Sequence, residues 1–279
     1  MIDISYRKKF LTVNQIWYPN TVTVSALLGQ KRKADILFVH GAPAGETKGS
    51  FRGWQEYHTC MNDITRKEED MLAAVNKAVR YQIRRSEKDN IEIRFYTKDD
   101  IQKSPELIST FADIYARMYQ SKGSDTRLNI TAVKKYLEAD AILFSAVWHE
   151  GEVLVFHSYI CDAADARLLH SASCFREESA DQSMIGRANK RLHWEDILYF
   201  KKKGFLRYDW GGISDFENPN GIDEFKLKFG GEKITYYNIL AGNTLLGKLA
   251  VTAMNGMKRL SMPAKGHGAG DTKASGGKE

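Results

Sequence analysis

The chain has 279 residues, of which 43% are hydrophobic and 27% are charged. That length and composition suit a globular protein of one large domain or two smaller packed ones. The longest apolar run, Ala141 to Trp148, is much shorter than the roughly 20 residues of a membrane span, and the start lacks the apolar stretch of a secretory signal. Three cysteines without a Cys-x-x-Cys spacing argue against a disulfide framework or a structural zinc site. We therefore expect a cytoplasmic protein.

The formal net charge is +6, and the positive charge is concentrated in residues 1–95 and after residue 240. Such a distribution indicates an anionic ligand, a nucleic acid or a lipid surface. Charge that serves only solubility explains it equally well, so both alternatives stay open.

The first hundred residues predict strands followed by a helix. Alternating β-branched residues from Val13 to Leu28 and the apolar run Asp35 to His40 predict two strands. A capping-box sequence at Thr65 precedes apolar residues at spacings of three and four. It predicts one helix that runs to about Lys88, with a row of cations on a second face.

The rest of the chain alternates helices with strands. A Ser-Pro-Glu start at Ser104 predicts a helix that ends near Gly123, and a shorter helix is expected over 131–139. Turn residues separate three consecutive strands over 141–149, 152–161 and 166–174. Beyond them we expect a helix over 186–203, a strand over 205–210, a short helix over 222–229, a strand over 232–240 and a helix over 243–260.

This order of helices, three antiparallel strands, a glycine-bearing turn, a helix and a strand resembles the GNAT acyltransferase fold. In that fold a helix N-terminus holds the donor pyrophosphate, because free backbone amides and the helix dipole favour phosphate oxygens. The segment Gln182 to Ala188 partly matches the family's Gln/Arg-x-x-Gly-x-Gly/Ala pattern and is one residue too long. The resemblance implies donor binding at Gly186, Arg187, Ala188 and Asn189; the alternative is a plain loop before a helix.

Three segments are more specific and resemble the FemAB-like branch of that superfamily. Leu72 to Glu92, which includes Val79 to Lys88, looks like its "R-x-x-I-R-R/K-A" helix, and Gly204 to Gly212 looks like its "G-x-x-x-Y-D-L/F-G-G" strand. Gly221 to Gly231 looks like its "G-(I/L)-x-x-F-K-x-x-F-G" element. The chain is shorter than many members and lacks the long charged helical arm that some of them carry.

The resemblance implies an α/β (α+β) fold with a mixed sheet, built from tandem GNAT-like modules of which the first is incomplete. We expect a partial N-terminal module over 1–95 and an acyltransferase module over 96–240. A C-terminal amphipathic helix over 241–262 and a disordered tail over 263–279 are expected to follow.

The resemblance also implies the residues of the site. Lys226 is expected to stabilise the oxyanion of a tetrahedral intermediate, Asp209 to orient amides or the acceptor amine, and Phe225 to lie beside the transfer site. Lys226 as a solvated helix residue and Asp209 as a structural carboxylate that caps the Gly-Gly turn are the alternatives. The expected substrate-binding residues are Arg84, Arg85, Tyr208, Trp210, Gly211 and Gly212.

The predicted function is transfer of an acyl or aminoacyl group from acyl-CoA or aminoacyl-tRNA to an amine. The acceptor is expected to be an amino sugar or peptide of a cell-envelope or polysaccharide precursor. We expect no permanently bound cofactor and no metal, since His157 and His170 on adjacent strands lack a third ligand. A non-catalytic module that binds envelope polysaccharide or a lipid-linked precursor, and a nucleic-acid binder, are the rival functions.

The last predicted helix carries lysines and an arginine among its apolar residues. It is expected either to pack on the second module or to rest on an anionic membrane surface. The second alternative would make the protein peripheral on the inner face of a membrane.

Overall fold

The computed structural model describes residues 1–19, 24–30, 33–42, 52–177 and 181–261, with side chains as far as Asn255. Within these residues the strands are β1 (Ile2–Lys8), β2 (Leu11–Trp17), β3 (Ile36–Ala42), β4 (Arg52–Asp63), β5 (Glu92–Tyr96), β6 (Ile142–His149), β7 (Glu152–Cys161), β8 (Asp165–Ser173), β9 (Arg207–Ile213) and β10 (Glu232–Gly242). The helices are α1 (Val24–Gly29), α2 (Glu68–Ala74), α3 (Lys77–Arg85), α4 (Lys98–Lys103), α5 (Glu106–Gln120), α6 (Ile130–Glu138), α7 (Gln182–Lys202), α8 (Gly221–Leu227) and α9 (Leu245–Ser261).

The described strands form one mixed sheet in the order β1-β2-β3-β10-β4-β9-β8-β7-β6-β5. Two neighbouring pairs, β2 with β3 and β8 with β9, are parallel, and the other pairs are antiparallel. Each parallel pair is joined through a helix, α1 in the first and α7 in the second, because parallel neighbours need a crossover connection. The predicted mixed α/β fold is confirmed.

The pair β8 and β9 determines where a cleft can form. Its register runs only from Asp165 opposite Arg207 to Arg167 opposite Asp209. Both strands continue beyond these partners, β8 to Ser173 and β9 to Ile213. They therefore diverge after Arg167 and Asp209, and the gap between them opens beside α7.

The expected division into tandem modules is not confirmed, because one sheet runs through the whole described structure. β10, from the end of the chain, lies between β3 and β4 of the first 95 residues. The order of hairpin, helix and parallel strand does occur twice, as β1-β2-α1-β3 and as β7-β8-α7-β9. The boundary at residue 95 stays a prediction.

The expected strand from Val13 to Leu28 is wrong in its second half. β2 ends at Trp17, and Val24 to Gly29 form α1; the β-branched run Thr21 to Thr23 lies outside the described residues. The chain must cross to β3, which is parallel to β2. A helix makes that crossing and buries Val24 and Leu27 on the sheet.

The single helix expected from Thr65 to Lys88 is also wrong. The chain forms α2 and α3, separated by Val75 in an extended conformation and by Asn76. The Asn76 side chain accepts from the amide of Ala78 and so caps α3. The predicted cap Thr65 instead donates its amide and its hydroxyl to Asp63.

The long helix expected to start at Gly186 begins four residues earlier. α7 runs from Gln182, and the carboxylate of Asp181 accepts from the amide of Met184 at 2.9 Å as its N-cap. By contrast, the predicted positions of the three strands over 141–174 and of the helix over 131–139 are confirmed to within one residue by β6, β7, β8 and α6.

Three apolar clusters fill the interior of the part of the chain that the structure describes. The largest joins α5 and α6 to β6, β7 and β8, the second packs α3 and α7 against β9, and the third lies under α1. Val251 of α9 is fully buried in the largest cluster, so the last helix packs on the sheet. None of the helices in the described ranges is long and apolar enough to cross a membrane.

Candidate active site

Adjoining clefts open where β8 and β9 diverge. The aromatic cleft, of about 380 Å³, has Trp17, Tyr57 and Trp210 in its wall. The helix cleft, of about 400 Å³, runs along the start of α7 past Gly186 and Asn189. Both clefts share Met118, Lys122, Leu168, Ser171, Ile222 and Lys226. They therefore form one continuous depression across the strand gap.

The walls of these clefts are positively charged. Lys122 and Lys226 line both clefts; Arg167 is added in the aromatic cleft, and Lys190 and Arg176 are added in the helix cleft. Among the residues that the structure describes, no aspartate or glutamate lines either cleft. Cations in a concave wall of low polarity attract anions more strongly than exposed ones. The depression is thus suited to a phosphate-bearing or carboxylate-bearing ligand.

Lys226 lies in the last turn of α8, at the junction of the two clefts. Its Nζ donates to the carbonyl oxygen of Gly212 at 2.6 Å. Burial lowers the pKa of Lys226 from 10.5 to about 8, while the carboxylates of Asp209 and Asp223 oppose that shift. The amine is still mostly protonated at neutral pH, so it presents a positive charge to the junction.

Asp209 is buried and lines neither of these two clefts in the described structure. Its carboxylate accepts from the hydroxyl of Thr59 and from the amide of Gly211 at 2.8 Å, and lies 3.8 Å from Nε of Arg167. These partners are those of a carboxylate that caps the Gly-Gly turn. Its direct role in transfer stays a prediction.

Arg167 is a residue of the cleft that the sequence analysis missed. Only 5% of it is exposed, and its guanidinium lies 4.3 Å from the ring centre of Tyr57 and 4.8 Å from that of Trp17. Such stacking stabilises a buried cation. The sequence did hold a signal for this residue, because Arg167 stands within an apolar strand. Arginine is rarely buried without a partner, so its position there indicates a special environment.

The packing of β9 against β8 explains why a glycine follows Trp210. Gly211 has φ of +70°, and a Cβ there would lie 2.6 Å from the carbonyl oxygen of Leu168. Any other residue would collide with β8. The glycines were expected to let a ligand approach the backbone. Gly211 instead allows β9 to approach the backbone of β8, although Gly212 does line the aromatic cleft.

Of the other residues expected at the transfer site, some lie in the hydrophobic core and some line a cleft. Tyr208 is fully buried and lines neither cleft in the described structure. Trp210 is also fully buried, donates Nε1–H to Asn62 at 2.6 Å, and has its ring in the wall of the aromatic cleft. Phe225 lines the helix cleft, with the Nζ of Lys190 5.5 Å from its ring centre.

The expected donor-binding residues lie inside α7. Gly186 is in its second turn, where Lys190 donates to its carbonyl oxygen at 3.0 Å, so its amide is not at the helix start. Arg187 is paired with Asp89 at 2.7 and 2.8 Å, and Ala188 is fully buried. Of this set, Gly186 and Asn189 line the helix cleft.

Arg84 and Arg85 differ in position. Arg85 lines a third cleft of about 260 Å³, here called the outer cleft, together with Gln182, Gly186, Arg187 and Lys190. Arg84 is exposed and lines none of the three clefts. The outer and helix clefts share Phe175, Gly186 and Lys190. Arg85 therefore extends the cationic surface towards the start of α7.

A buried polar cluster lies behind the helix cleft. The rings of His157 and His193 are tilted by 30° and their centres are 4.1 Å apart, whereas Nδ1 of His170 lies 3.1 Å from the hydroxyl of Ser158. With Asp196, His157 and His193 place three ligand atoms within 4.8 Å of one another. These groups hydrogen-bond to each other and to buried tyrosines, and the expected absence of a metal stays a prediction.

Several solved structures share this fold. FemX superposes with a TM-score of 0.60 at 13% identity, over 89% of this chain and 86% of that one. A C-terminal domain of a lysylphosphatidylglycerol synthetase from Agrobacterium fabrum gives 0.56 at 12%, over 91% and 84%. L-PGS from Bacillus licheniformis gives 0.51 at 10%, over 92% and 85%.

The chain therefore shares its fold with FemX, in agreement with the resemblance of its three sequence motifs. No family model matches the chain, and no curated protein matches it in sequence. At identities of 10% to 13%, the likeness shows a common fold, and function has to be argued from the clefts.

Proposed function

We propose that this protein is an N-acyltransferase that moves an acyl or aminoacyl group from acyl-CoA or aminoacyl-tRNA to an amine of a cell-envelope or polysaccharide precursor. The observation that carries the proposal is the cation-lined depression at the gap between β8 and β9. Lys226 lies at its junction, and no carboxylate lines the walls of the aromatic and helix clefts among the described residues.

The donor occupies the helix and outer clefts in this proposal. Acyl-CoA and aminoacyl-tRNA both carry phosphates, and Lys190 and Arg85 offer them positive charge beside Gly186. Lysine and arginine are the usual phosphate partners in proteins. The donor is a co-substrate that leaves after each turnover, so no resident cofactor is needed.

The transfer itself needs stabilisation of an oxyanion. The acceptor amine attacks the carbonyl carbon of the donor, forms a C–N bond, and puts negative charge on the carbonyl oxygen. The protonated Lys226 at the cleft junction stabilises that charge. Collapse of the intermediate breaks the C–S bond of a thioester or the C–O bond of an aminoacyl ester.

The acceptor occupies the aromatic cleft in this proposal. Its wall combines the rings of Trp17 and Tyr57 with the guanidinium of Arg167. Aromatic faces pack against the apolar face of a sugar or peptide, and the cation pairs with a carboxylate or phosphate. FemX and the lysylphosphatidylglycerol synthetase domain share the fold, which supports an acceptor from the cell envelope.

Calorimetric titration with acetyl-CoA and with charged tRNA tests the proposal. We expect one of them to bind, and Lys190→Ala to weaken that binding. Lys202→Ala is the matched control, because Lys202 is an exposed lysine on the last turn of the same helix. If neither donor binds the folded protein, the proposed function is wrong.

One observation favours a non-catalytic module that binds envelope polysaccharide or a lipid-linked precursor. The carboxylate of Asp181 holds the amide of Met184 at the start of α7 and so places negative charge where a donor pyrophosphate is expected. The same calorimeter decides between the two, since this module would bind the polysaccharide and neither donor.

A further inference from the structure

A buried chain of hydrogen bonds leads from His193 into the core. Nδ1 of His193 lies 2.9 Å from the hydroxyl of Tyr208, which lies 2.9 Å from the hydroxyl of Tyr159. That hydroxyl donates to the carboxylate of Asp196 at 2.5 Å. The exposed fraction of each of these four residues is 2% or less. Bulk water therefore does not replace these bonds.

The protons in this chain of hydrogen bonds can be assigned by starting at Asp196. Each tyrosine hydroxyl carries one proton, and that of Tyr159 is given to Asp196. The hydroxyls of Tyr159 and Tyr208 lie 2.9 Å apart and share one proton; because the proton of Tyr159 is used by Asp196, Tyr208 donates to Tyr159. The hydroxyl of Tyr208 can then only accept from His193. His193 thus carries its proton on Nδ1 and keeps a free lone pair on Nε2.

His193 is also one of the residues that line the proposed active site. The imidazole forms part of the wall of the helix cleft, as do Lys190 and Lys226. The bond to Tyr208 uses Nδ1, which leaves Nε2 on the far side of the ring. Burial, followed by the influence of the neighbouring His157, Lys226 and Lys190, holds the pKa of His193 well below 6.5. The ring is therefore neutral at pH 7 and able to accept a proton.

We propose that Nε2 of His193 accepts the proton of the acceptor amine during transfer, and that Tyr208, Tyr159 and Asp196 orient and stabilise the imidazole for this step. This inference rests on the proposed function. As the C–N bond forms, the amine nitrogen becomes positively charged and loses a proton to Nε2. When the C–S or C–O bond breaks, the same proton passes from His193 to the leaving sulfur or oxygen.

The orienting chain has a clear physical effect. A proton on Nε2 makes the ring a cation in a buried place, which is costly without compensation. The hydroxyl dipoles of Tyr208 and Tyr159 both point towards the carboxylate of Asp196, so they transmit its negative charge to Nδ1–H. A positively charged amine in a tetrahedral intermediate is acidic, so a weak base such as His193 suffices.

The test has a spectroscopic part that needs no substrate. Long-range proton–nitrogen correlation spectra of the ¹⁵N-labelled protein at pH 7 should show His193 as the Nδ1–H tautomer. Tyr208→Phe, which keeps the ring volume, should shift this signal towards the other tautomer. An Nε2–H tautomer in the wild type would overturn the assignment whether or not the protein is an enzyme.

The kinetic part uses acetyl-CoA and charged tRNA as donors with glucosamine and a lysyl peptide as amines. We expect His193→Gln to lower the single-turnover rate by about 10²-fold or more with unchanged donor affinity, and added imidazole to restore part of the rate of His193→Ala. His149→Gln, outside the clefts, is the control. If the glutamine variant does not fold, Tyr208→Phe serves instead.

The outcomes separate the two proposals. A wild-type rate in His193→Gln would overturn the role of His193 and leave the transferase intact. Absence of transfer by the wild type with every donor and acceptor would overturn the proposed function and the proton transfer together.

Discussion

The guanidinium of Arg167 on β8 lies 4.8 Å from the ring centre of Trp17 on β2, although four other strands lie between them in the sheet. In a flat sheet those two strands would be about 24 Å apart, since neighbouring strands are separated by about 4.8 Å. The sheet must therefore curve strongly. That curvature brings the ends of both parallel pairs to one depression and creates the aromatic cleft.

Arg167 is expected to stabilise the curved sheet, because its guanidinium contacts the rings of Trp17 and Tyr57. Replacing it by Met removes the cation from between Trp17 and Tyr57 and leaves the buried carboxylate of Asp209 without it. We expect Arg167→Met to lower the free energy of unfolding by about 3 kcal/mol, measured by urea denaturation. The control is Arg94→Met, which breaks an exposed ion pair and should change stability little. Equal effects of the two changes would contradict a structural role of Arg167.

Lys226→Ala is expected to lower turnover by about 10²-fold or more while the protein stays folded, as loss of one oxyanion-stabilising donor does. Lys228→Ala is the control, because Lys228 is two residues further on, exposed and paired with Glu224. Steady-state kinetics measure both variants, and circular dichroism checks that they fold. A wild-type rate in Lys226→Ala would make Lys226 an ordinary surface lysine.

The activity should fall as the pH rises through about 8. The pKa of Lys226 is lowered by burial to about 8, so its positive charge is present below that pH and is lost above it. In Lys226→Arg the charge persists to far higher pH, and we expect this decline to disappear. A decline at pH 8 that is identical in both proteins would assign it to another group.

Gly186 is expected to leave room for the donor. A Cβ at this position would lie 3.6 Å from Phe175 and 3.9 Å from Nζ of Lys190, which are ordinary contacts. Gly186→Ala should therefore fold, gain up to about 1 kcal/mol of helix stability and keep its donor affinity. Gly186→Leu should fill the cleft and weaken donor binding by calorimetry. Unchanged affinity in the leucine variant would place the donor elsewhere.

The last helix is expected to bind an anionic membrane weakly. Leu245 and Leu249 are 77% and 63% exposed, and each cation near such a surface contributes about 1 kcal/mol. We expect the full chain to co-sediment with phosphatidylserine vesicles at low salt, and Leu245→Gln with Leu249→Gln to reduce that binding.

Substitution is a better test than removal of the helix. Val251 of α9 is fully buried, so removal of the helix would also expose part of the core. Leu206→Gln, at another half-exposed leucine, is the control for lost apolar surface. Equal sedimentation of the double variant and the wild type would exclude this role for the helix. The tail over 263–279 lies outside the described residues, and its predicted disorder stays a prediction.

Features that depend on neighbouring residues were predictable. The turns around Gly151 and Asp162 separate strands that pair as expected. The glycine-bounded element from Gly221 to Gly231 forms α8, which Asn220 and Asp223 cap reciprocally. Hydrophobic period and turn chemistry act over a few residues, so they can be identified in a single sequence. The order of these elements, together with three short motifs, predicted the fold.

Features that depend on distant residues were not predictable. The insertion of β10 between β3 and β4 needs backbone partners from both ends of the chain. The burial of Arg167 depends on the curvature that brings β2 to β8, and the chain from His193 to Asp196 requires three elements to meet. The sequence alone thus determined the type and order of the elements from Ser104 onwards and the mixed α/β class of the fold. Tertiary packing alone decided which side chains share a cleft, because that depends on three-dimensional distance rather than on spacing along the chain.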